Sequence, residues 1–363
     1  MKKIVLICPI DRTFNFRQQL IKQLCEMNFK VILISSYGAE IDKYLNIGCQ
    51  FENVSIDRRG TSIINDSKLL DCYYRILKKI TPDLVLTFTT KCSVYGGIAC
   101  RILRIPYIVN NAGLMNAKGV LAHILTILYK IGFCKANCMM YQNDMEMKTI
   151  QLILNNKTYY RRIPGSGVDI ECFKYSEYPK ETDPIIFNFM ARIMKSKGIE
   201  EYLKCADYIK TKYPKVIFRI YGDFDEEKYQ KSVRDFCTKG IVEYYGQTND
   251  IKLAISTSSA AIHPSYYEGM TNVVLEHSAM GRPCIGSNVP GVCDSIDDGK
   301  TGFVFEVGNS KSLINSVEKF INCSYRERKK MGIFAREKMV KEFDRSIVTK
   351  IYIEEIEEIL GGI

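Results

Sequence analysis

Short apolar runs alternate with stretches of helical period along the whole chain, and the alternation runs twice. Residues 3–8 (KIVLIC) read as a buried strand, 16–27 as a helix and 30–35 (KVILIS) as a second strand, which together make a βαβ unit. The pattern restarts with a strand at 185–190. It continues through helix 198–212, strand 216–221, helix 226–239, strand 242–244, helix 251–257 and strand 260–263. Such a succession predicts α/β architecture: parallel sheets wound with helices, with ligands outside the carboxyl ends of the strands. A length of 363 residues leaves room for two such domains, each with its own core. The turn-rich run 163–169 (IPGSGVD) marks the division. We therefore expect an N-terminal domain at 1–173, a polar linker at 174–184 and a C-terminal domain at 185–345. The closing segment 346–363, apolar at Ile347, Ile351, Ile356 and Ile359, is expected to be a helix crossing back to the first domain.

The net charge of +10 is unevenly spread. Residues 1–165 hold 23 Lys+Arg against 11 Asp+Glu, a net of +12, and the remainder holds 28 against 30, a net of −2. The first half therefore faces something anionic, such as a membrane surface or a phosphorylated acceptor. Fourteen scattered cysteines without a CxxC, and no signal peptide, fit a reducing cytosol. The Cys134–Cys138 pair lacks the second ligand pair of a zinc site. The apolar run 119–134 is too short to span a bilayer and carries Lys130; it reads as a buried helix with a snorkelling lysine, or as one lying on the bilayer surface.

The stretch 263–291 (HPSYYEGMTNVVLEHSAMGRPCIGSNVPG) concentrates candidate chemistry. It reads as strand end, loop, helix 272–280 and a second strand, with Gly281 at the helix C′ position. Glu268 lies just ahead of the helix and Glu276 one turn inside it, on the face of Asn272, while Val274, Leu275 and Ala279 can turn toward a core. The amides of Gly269, Met270 and Thr271 would be open donors at a positive helix end, which is an anion site.

Two glutamates separated by seven residues, with Gly after the first and the surrounding Pro264, Ser265, Gly281 and Pro283, resemble the nucleotide-binding half of glycosyltransferase family 4. The resemblance implies a GT-B fold of two facing Rossmann-like domains with a cleft between them. It also implies that Glu276 holds the ribose hydroxyls of a nucleotide sugar and that Glu268 lies beside the donor sugar. The segment 191–198 (ARIMKSKG) resembles the family's A-R-x-x-x-x-K-G motif, so Arg192 and Lys197 would stabilise the departing diphosphate. Gly222, where the family commonly has a Gly-Asp-Gly turn, would lie beside the nucleotide. The following Asp223-Phe224-Asp225 matches a metal-binding D-x-D of another glycosyltransferase fold, but we read it as a loop and expect no metal or other cofactor.

Residues 81–114 resemble a subgroup that extends polyprenyl-diphosphate-linked oligosaccharides of capsule, O-antigen or protein glycosylation. Where the family often has a Gly-rich first turn, this chain has Asp11, Arg12 and Arg17, which would offer contacts to an acceptor, although Arg17 reads equally as a solvated helix residue. Lys91, Tyr95 and Asn111 complete the acceptor-side candidates. Many family members carry a His after the strand that ends near residue 110; here Asn110-Asn111 stand there, and His123 reads as a structural residue of its helix.

The resemblance thus implies a retaining transferase that moves a hexosyl or N-acetylhexosaminyl unit from a UDP-sugar to a lipid-linked saccharide. Its partners would be that donor, that acceptor and an anionic membrane surface, not nucleic acid, and its place the cytoplasmic face of the membrane. Two other readings are a UDP-sugar 2-epimerase of the same architecture and a non-catalytic sugar-nucleotide-binding subunit.

Overall fold

The computed structural model describes residues 1–56, 63–110, 120–154 and 158–361. Two compact units emerge, one of residues 1–166 and 346–363, the other of residues 167–345. In the first, strands and helices follow one another as β1 (Lys3–Ile10), α1 (Gln18–Glu26), β2 (Lys30–Ser36), α2 (Ile41–Leu45), β3 (Gln50–Asn53), α3 (Ile63–Ile80) and β4 (Leu84–Phe88). They continue as α4 (Thr90–Leu103), β5 (Tyr107–Asn110), α5 (Val120–Phe133), β6 (Cys138–Tyr141), α6 (Asp144–Leu154) and β7 (Tyr160–Arg162). The described strands form one parallel sheet in the order β3-β2-β1-β4-β5-β6-β7.

Because side chains alternate along a strand, β1 feeds two cores. Ile4, Leu6 and Cys8 join Leu20, Ile21 and Leu24 of α1 on one face, and Val5 and Ile7 join Tyr73 and Leu77 of α3 on the other. Each buried aliphatic side chain contributes about 2 kcal/mol by leaving water.

The second unit runs β8 (Ile186–Met190), α7 (Ile199–Lys212), β9 (Ile217–Tyr221), α8 (Tyr229–Thr238), β10 (Glu243–Gly246), α9 (Ile251–Ser256) and β11 (Ala260–His263). Then come α10 (Asn272–Ala279), β12 (Cys284–Ser287), β13 (Gly302–Phe305), α11 (Ser310–Asn322) and α12 (Tyr325–Lys338). Its sheet is also parallel, in the order β10-β9-β8-β11-β12-β13. The closing helix α13 (Arg345–Ile359) belongs from Ser346 onward to the first unit, where Val348, Tyr352 and Ile356 are buried in the α1 core and Arg161 pairs with Glu355 at 3.1 Å.

Residues 167–184 pack within the second unit. Val168 donates to the Phe343 carbonyl at 2.8 Å, and the Tyr178 hydroxyl donates to the Ser259 carbonyl at 3.0 Å. The fully buried Arg282 donates to the carbonyls of Ser176 (2.9 Å) and Glu177 (2.7 Å), which fastens 174–184 along this unit. Expected and observed elements agree closely in the second unit. In the first unit α4 begins at Thr90, directly after β4, because Thr89 takes φ 71° and turns the chain into the helix.

Candidate active site

The order of the second sheet reverses between β8 and β11: β9 lies to one side of the pair and β12 to the other. In a doubly wound sheet the carboxyl ends of the two strands at such a reversal are where ligands bind. The chain leaving β8 passes through a single 3-10 turn, Lys195–Lys197, to Gly198 at φ 74°. A Cβ on Gly198 would stand 2.1 Å from the Pro264 carbonyl oxygen, so only glycine lets the β8 and β11 loops meet here. The Ser196 carbonyl accepts from the Tyr266 amide at 2.9 Å, a second tie between them.

This approach brings Lys197 Nζ to 2.6 Å from Glu268 Oε1. His263, the last residue of β11 and buried, places Nε2 3.0 Å from the same oxygen. Burial alone would push the Glu268 carboxyl up, but the His263 contact and the Lys197 ammonium overcome it and hold the group down at about 2. Glu268 is therefore an ionised carboxylate at neutral pH. His263 was not among the residues expected at the site; its place at the carboxyl end of a strand, five residues ahead of Glu268, was the signal available.

Arg192 lies on the same β8 loop, exposed, with a terminal nitrogen 3.1 Å from Asp225 Oδ2. Asp223, the other acid of the D-x-D run, accepts from the Gln247 side-chain amide, and its backbone carbonyl takes the Ile193 amide at 2.7 Å. The run is thus stitched to the β8 loop. Gly222, at φ 135°, makes this closeness possible, since a Cβ there would stand 1.9 Å from the Ala191 carbonyl oxygen.

Helix α10 starts one residue after Thr271, whose side chain makes no cap. Of the three amides expected to be open, that of Thr271 is taken by the Gly291 carbonyl at 3.1 Å, which corrects the reading of a fully open helix end. Gly291 comes from the loop after β12, and a Cβ on it would stand 2.2 Å from the Gly269 carbonyl oxygen. Asn272 and Glu276 occupy the partly buried face of α10, while Val274, Leu275 and Ala279 are buried in the core. Burial pushes the Glu276 carboxyl up to about 7, with Arg345 pulling the other way. His277 beside it is fully buried, held neutral by burial with its group drawn down to about 4, and its Nδ1 donates to the Val273 carbonyl at 2.8 Å. Two cations and a helix start suit a ligand carrying phosphate, and an ionised carboxylate between them suits one carrying hydroxyls.

In the first unit the acceptor-side candidates fare differently. Arg12 is exposed. Asp11 is buried and accepts from the amides of Arg12 (2.7 Å) and Glu40 (3.0 Å), stapling the β1 turn to the turn after β2, so it is not an outward-facing contact. Arg17 is neither solvated nor outward: at 7% exposure its guanidinium lies 4.9 Å from the Phe88 ring centroid and 5.8 Å from that of Tyr352. Lys91 and Tyr95, one turn apart on α4, both engage Asp66 of α3, at 2.7 and 2.8 Å. Asn111 lies outside the described residues. Asn110 is buried and donates to the Tyr352 hydroxyl. His123 is exposed on α5 and is no core histidine.

Residues 3–143 match the family described as Glycosyl transferase 4-like, and residues 174–338 the one described as Glycosyl transferases group 1. The chain is 26% identical to the capsular polysaccharide biosynthesis glycosyltransferase CapM of Staphylococcus aureus, over 96% of this chain and 94% of that one. It is 26% identical, over 80% and 79%, to the UDP-Gal:alpha-D-GlcNAc-diphosphoundecaprenol alpha-1,3-galactosyltransferase of Escherichia coli. It is 21% identical, over 96% of both, to the N,N'-diacetylbacillosaminyl-diphospho-undecaprenol alpha-1,3-N-acetylgalactosaminyltransferase of Campylobacter jejuni. Among solved structures, Anabaena HepE in complex with UDP superposes with a TM-score of 0.79 at 16% identity, covering 99% of this chain and all of that one, a likeness of fold.

Proposed function

The chain belongs to the family 4 glycosyltransferases, with a 4-like domain ahead of a group 1 domain, and from that membership we propose its reaction. It moves a hexosyl or N-acetylhexosaminyl unit from a UDP-sugar to a polyprenyl-diphosphate-linked saccharide of a bacterial surface glycan, with retention at the anomeric carbon. It works at the cytoplasmic face of the membrane. The substrate classes rest on the Escherichia coli and Campylobacter jejuni relatives, whose names state UDP-Gal or lipid-diphosphate substrates. Transferase relatives over nearly the full chain leave the epimerase reading without support.

One observation carries the assignment of roles: Lys197 and Glu268 converge at the switch point of the group 1 domain. On this reading Lys197 and Arg192 face the diphosphate as the bond between the anomeric carbon and the phosphate oxygen breaks. Fixed cations lower the barrier because that oxygen gains charge only as the bond breaks, and the positive charge asks for no metal. Glu268 orients the donor sugar through its hydroxyls, Glu276 holds the ribose, and Gly222 and the Gly269–Asn272 turn line the nucleotide. The acceptor hydroxyl attacks from the leaving-group face and gives its proton to the departing phosphate oxygen, so that UDP leaves and the new glycosidic bond keeps its configuration.

The test is UDP release from a panel of UDP-hexoses and UDP-N-acetylhexosamines, with and without a detergent-solubilised polyprenyl-diphosphate sugar. We expect release that needs both one donor and the lipid acceptor. UDP bound tightly but released under no pairing would overturn the transferase reading in favour of a sugar-nucleotide-binding subunit.

A further inference from the structure

Helix α5 has one committed side and one bare one. Its inner side is locked to α4: a Cβ on Gly97 would stand 2.3 Å from the Gly132 carbonyl oxygen, and one on Gly132 would stand 2.8 Å from the Val94 carbonyl oxygen. The Tyr107 hydroxyl donates to the Gly132 carbonyl at 2.9 Å, which ties the same side to β5. With the helix fixed in rotation, Ile124, Ile127 and Ile131 follow one another at helical spacing along its outer side, exposed by 47%, 45% and 39%. This corrects the reading of 119–134 as a buried helix. His123 and Lys130 border the strip, both exposed. On the two helices that pack against α5, Ile102 at the end of α4 is 58% exposed and Leu152 near the end of α6 is 81% exposed.

The exposed charge on α4, α5 and the turns that follow them is positive, from Arg101, Arg104, Lys130 and Lys135, against one exposed carboxylate, Asp144, at the start of α6. From Leu84 to Asn143 the sequence holds six Lys or Arg and no Asp or Glu, a net of +6 over sixty residues. An apolar strip set in a cationic margin is the pattern of a helix that lies in a membrane interface, where isoleucines enter the acyl boundary and lysines meet anionic headgroups. The fourteen residues of α5 are too few to cross the hydrocarbon, and no helix among the described residues is long and apolar enough to do so.

We propose that the outer strip of α5, with the adjoining ends of α4 and α6, is the surface by which this enzyme rests on an anionic bilayer. The inference deepens the proposed function, since it rests on the acceptor being carried by a lipid. It places the docking patch at Ile124, Ile127 and Ile131, none of which is among the residues assigned to the donor.

Co-sedimentation of the full chain with phosphatidylcholine vesicles containing a quarter phosphatidylglycerol, and with pure phosphatidylcholine vesicles, tests it. We expect binding to the anionic vesicles that falls at least tenfold at 0.5 M salt and at least tenfold in the triple variant I124S/I127S/I131S, with Lys130→Glu also weakened. The substituted side chains are exposed, and an unchanged melting temperature in the triple variant checks its fold. A wild-type chain that does not sediment with anionic vesicles, or a triple variant that sediments like wild type, overturns the proposal. So does a wild-type dimer that the triple variant converts to monomer while vesicle binding stays the same, because the strip would then be covered by a second copy. UDP release on detergent-solubilised acceptor separates this failure from failure of the proposed function. The triple variant should keep turnover in detergent and lose it on vesicles, whereas a wild-type chain inactive in detergent counts against the reaction alone.

Discussion

Lys197 Nζ and Glu268 Oε1 are 2.6 Å apart, each delivered by a different strand of the β8–β11 switch point. The pair keeps a carboxylate ionised and an ammonium fixed in the same crevice, so neither needs to reorganise when a diphosphate ester arrives. Removing the cation should therefore strike the chemical step. We expect Lys197→Ala to lower kcat by about a hundredfold or more, the size seen when one fixed transition-state donor is lost. Glu268→Gln should lower kcat comparably while UDP affinity stays within about threefold. Steady-state kinetics with the identified donor decide it; a Lys197→Ala enzyme within fivefold of wild-type kcat would refute the role.

His263 shares the same carboxylate oxygen at 3.0 Å and is buried, so its contribution is to hold Glu268 in place. His263→Gln can present a side-chain amide near the position of Nε2 and should retain most activity. His263→Ala should lose about tenfold in kcat with UDP affinity unchanged. Equal loss in both variants, or a loss confined to UDP binding, would show that the ring serves packing only.

The strands were legible because short apolar runs bounded by turn residues admit few other readings, and β8 and β11 fall, within one residue, where residues 185–190 and 260–263 put them. Contacts that depend on tertiary neighbours were not legible. Lys91 and Tyr95 look like free polar groups until Asp66 of α3 is packed beside them. Arg17 looks solvated until Phe88 and Tyr352, 335 residues further along the chain, close over it. At the candidate site, Glu268, Glu276, Arg192 and Lys197 stood out through motif spacing. His263 offered only its place at the carboxyl end of a strand, five residues ahead of Glu268, and Arg282 emerges only from what it touches.

Glu276 predicts a pH dependence. Its carboxyl is raised by burial to about 7 against an ordinary value near 4.5, so the folded chain holds this proton more tightly than the unfolded chain. The associated stability is fully present below about pH 4.5 and is lost as pH rises through 7, a change of up to about 3 kcal/mol. Glu276→Gln should flatten that fall in urea titrations between pH 5 and 8. If the carboxylate form accepts the ribose hydroxyls, UDP should bind wild type more tightly at pH 8 than at pH 6. Unchanged UDP affinity in Glu276→Gln would remove the residue from the nucleotide site.

Arg282 is fully buried and faces carbonyls instead of a carboxylate: Ser176, Glu177, Ser256 and Met280 all accept from it within 2.9 Å. Burial draws its guanidinium down to about 10, yet it remains charged at neutral pH. Arg282→Met would leave those carbonyls buried without their donor, and should cost about 3 kcal/mol or more in chemical denaturation. Arg282→Lys should cost less, since an ammonium can satisfy some of the four. A loss below about 1 kcal/mol for Arg282→Met would contradict this account.

Gly291 closes the loop after β12 onto the turn ahead of α10. Its carbonyl accepts the Thr271 amide at 3.1 Å, and its φ of 80° favours glycine. A Cβ would stand 2.2 Å from the Gly269 carbonyl oxygen and 2.9 Å from that of Glu268, both backbone atoms that cannot swing aside. Gly291→Ala should therefore push the Glu268–Thr271 turn away from its present course. On the proposed function that turn lines the nucleotide, so UDP affinity should fall at least tenfold by calorimetry, alongside a stability loss of about 1–3 kcal/mol from backbone strain. Wild-type UDP affinity in a folded Gly291→Ala chain would mean that the nucleotide does not depend on this turn.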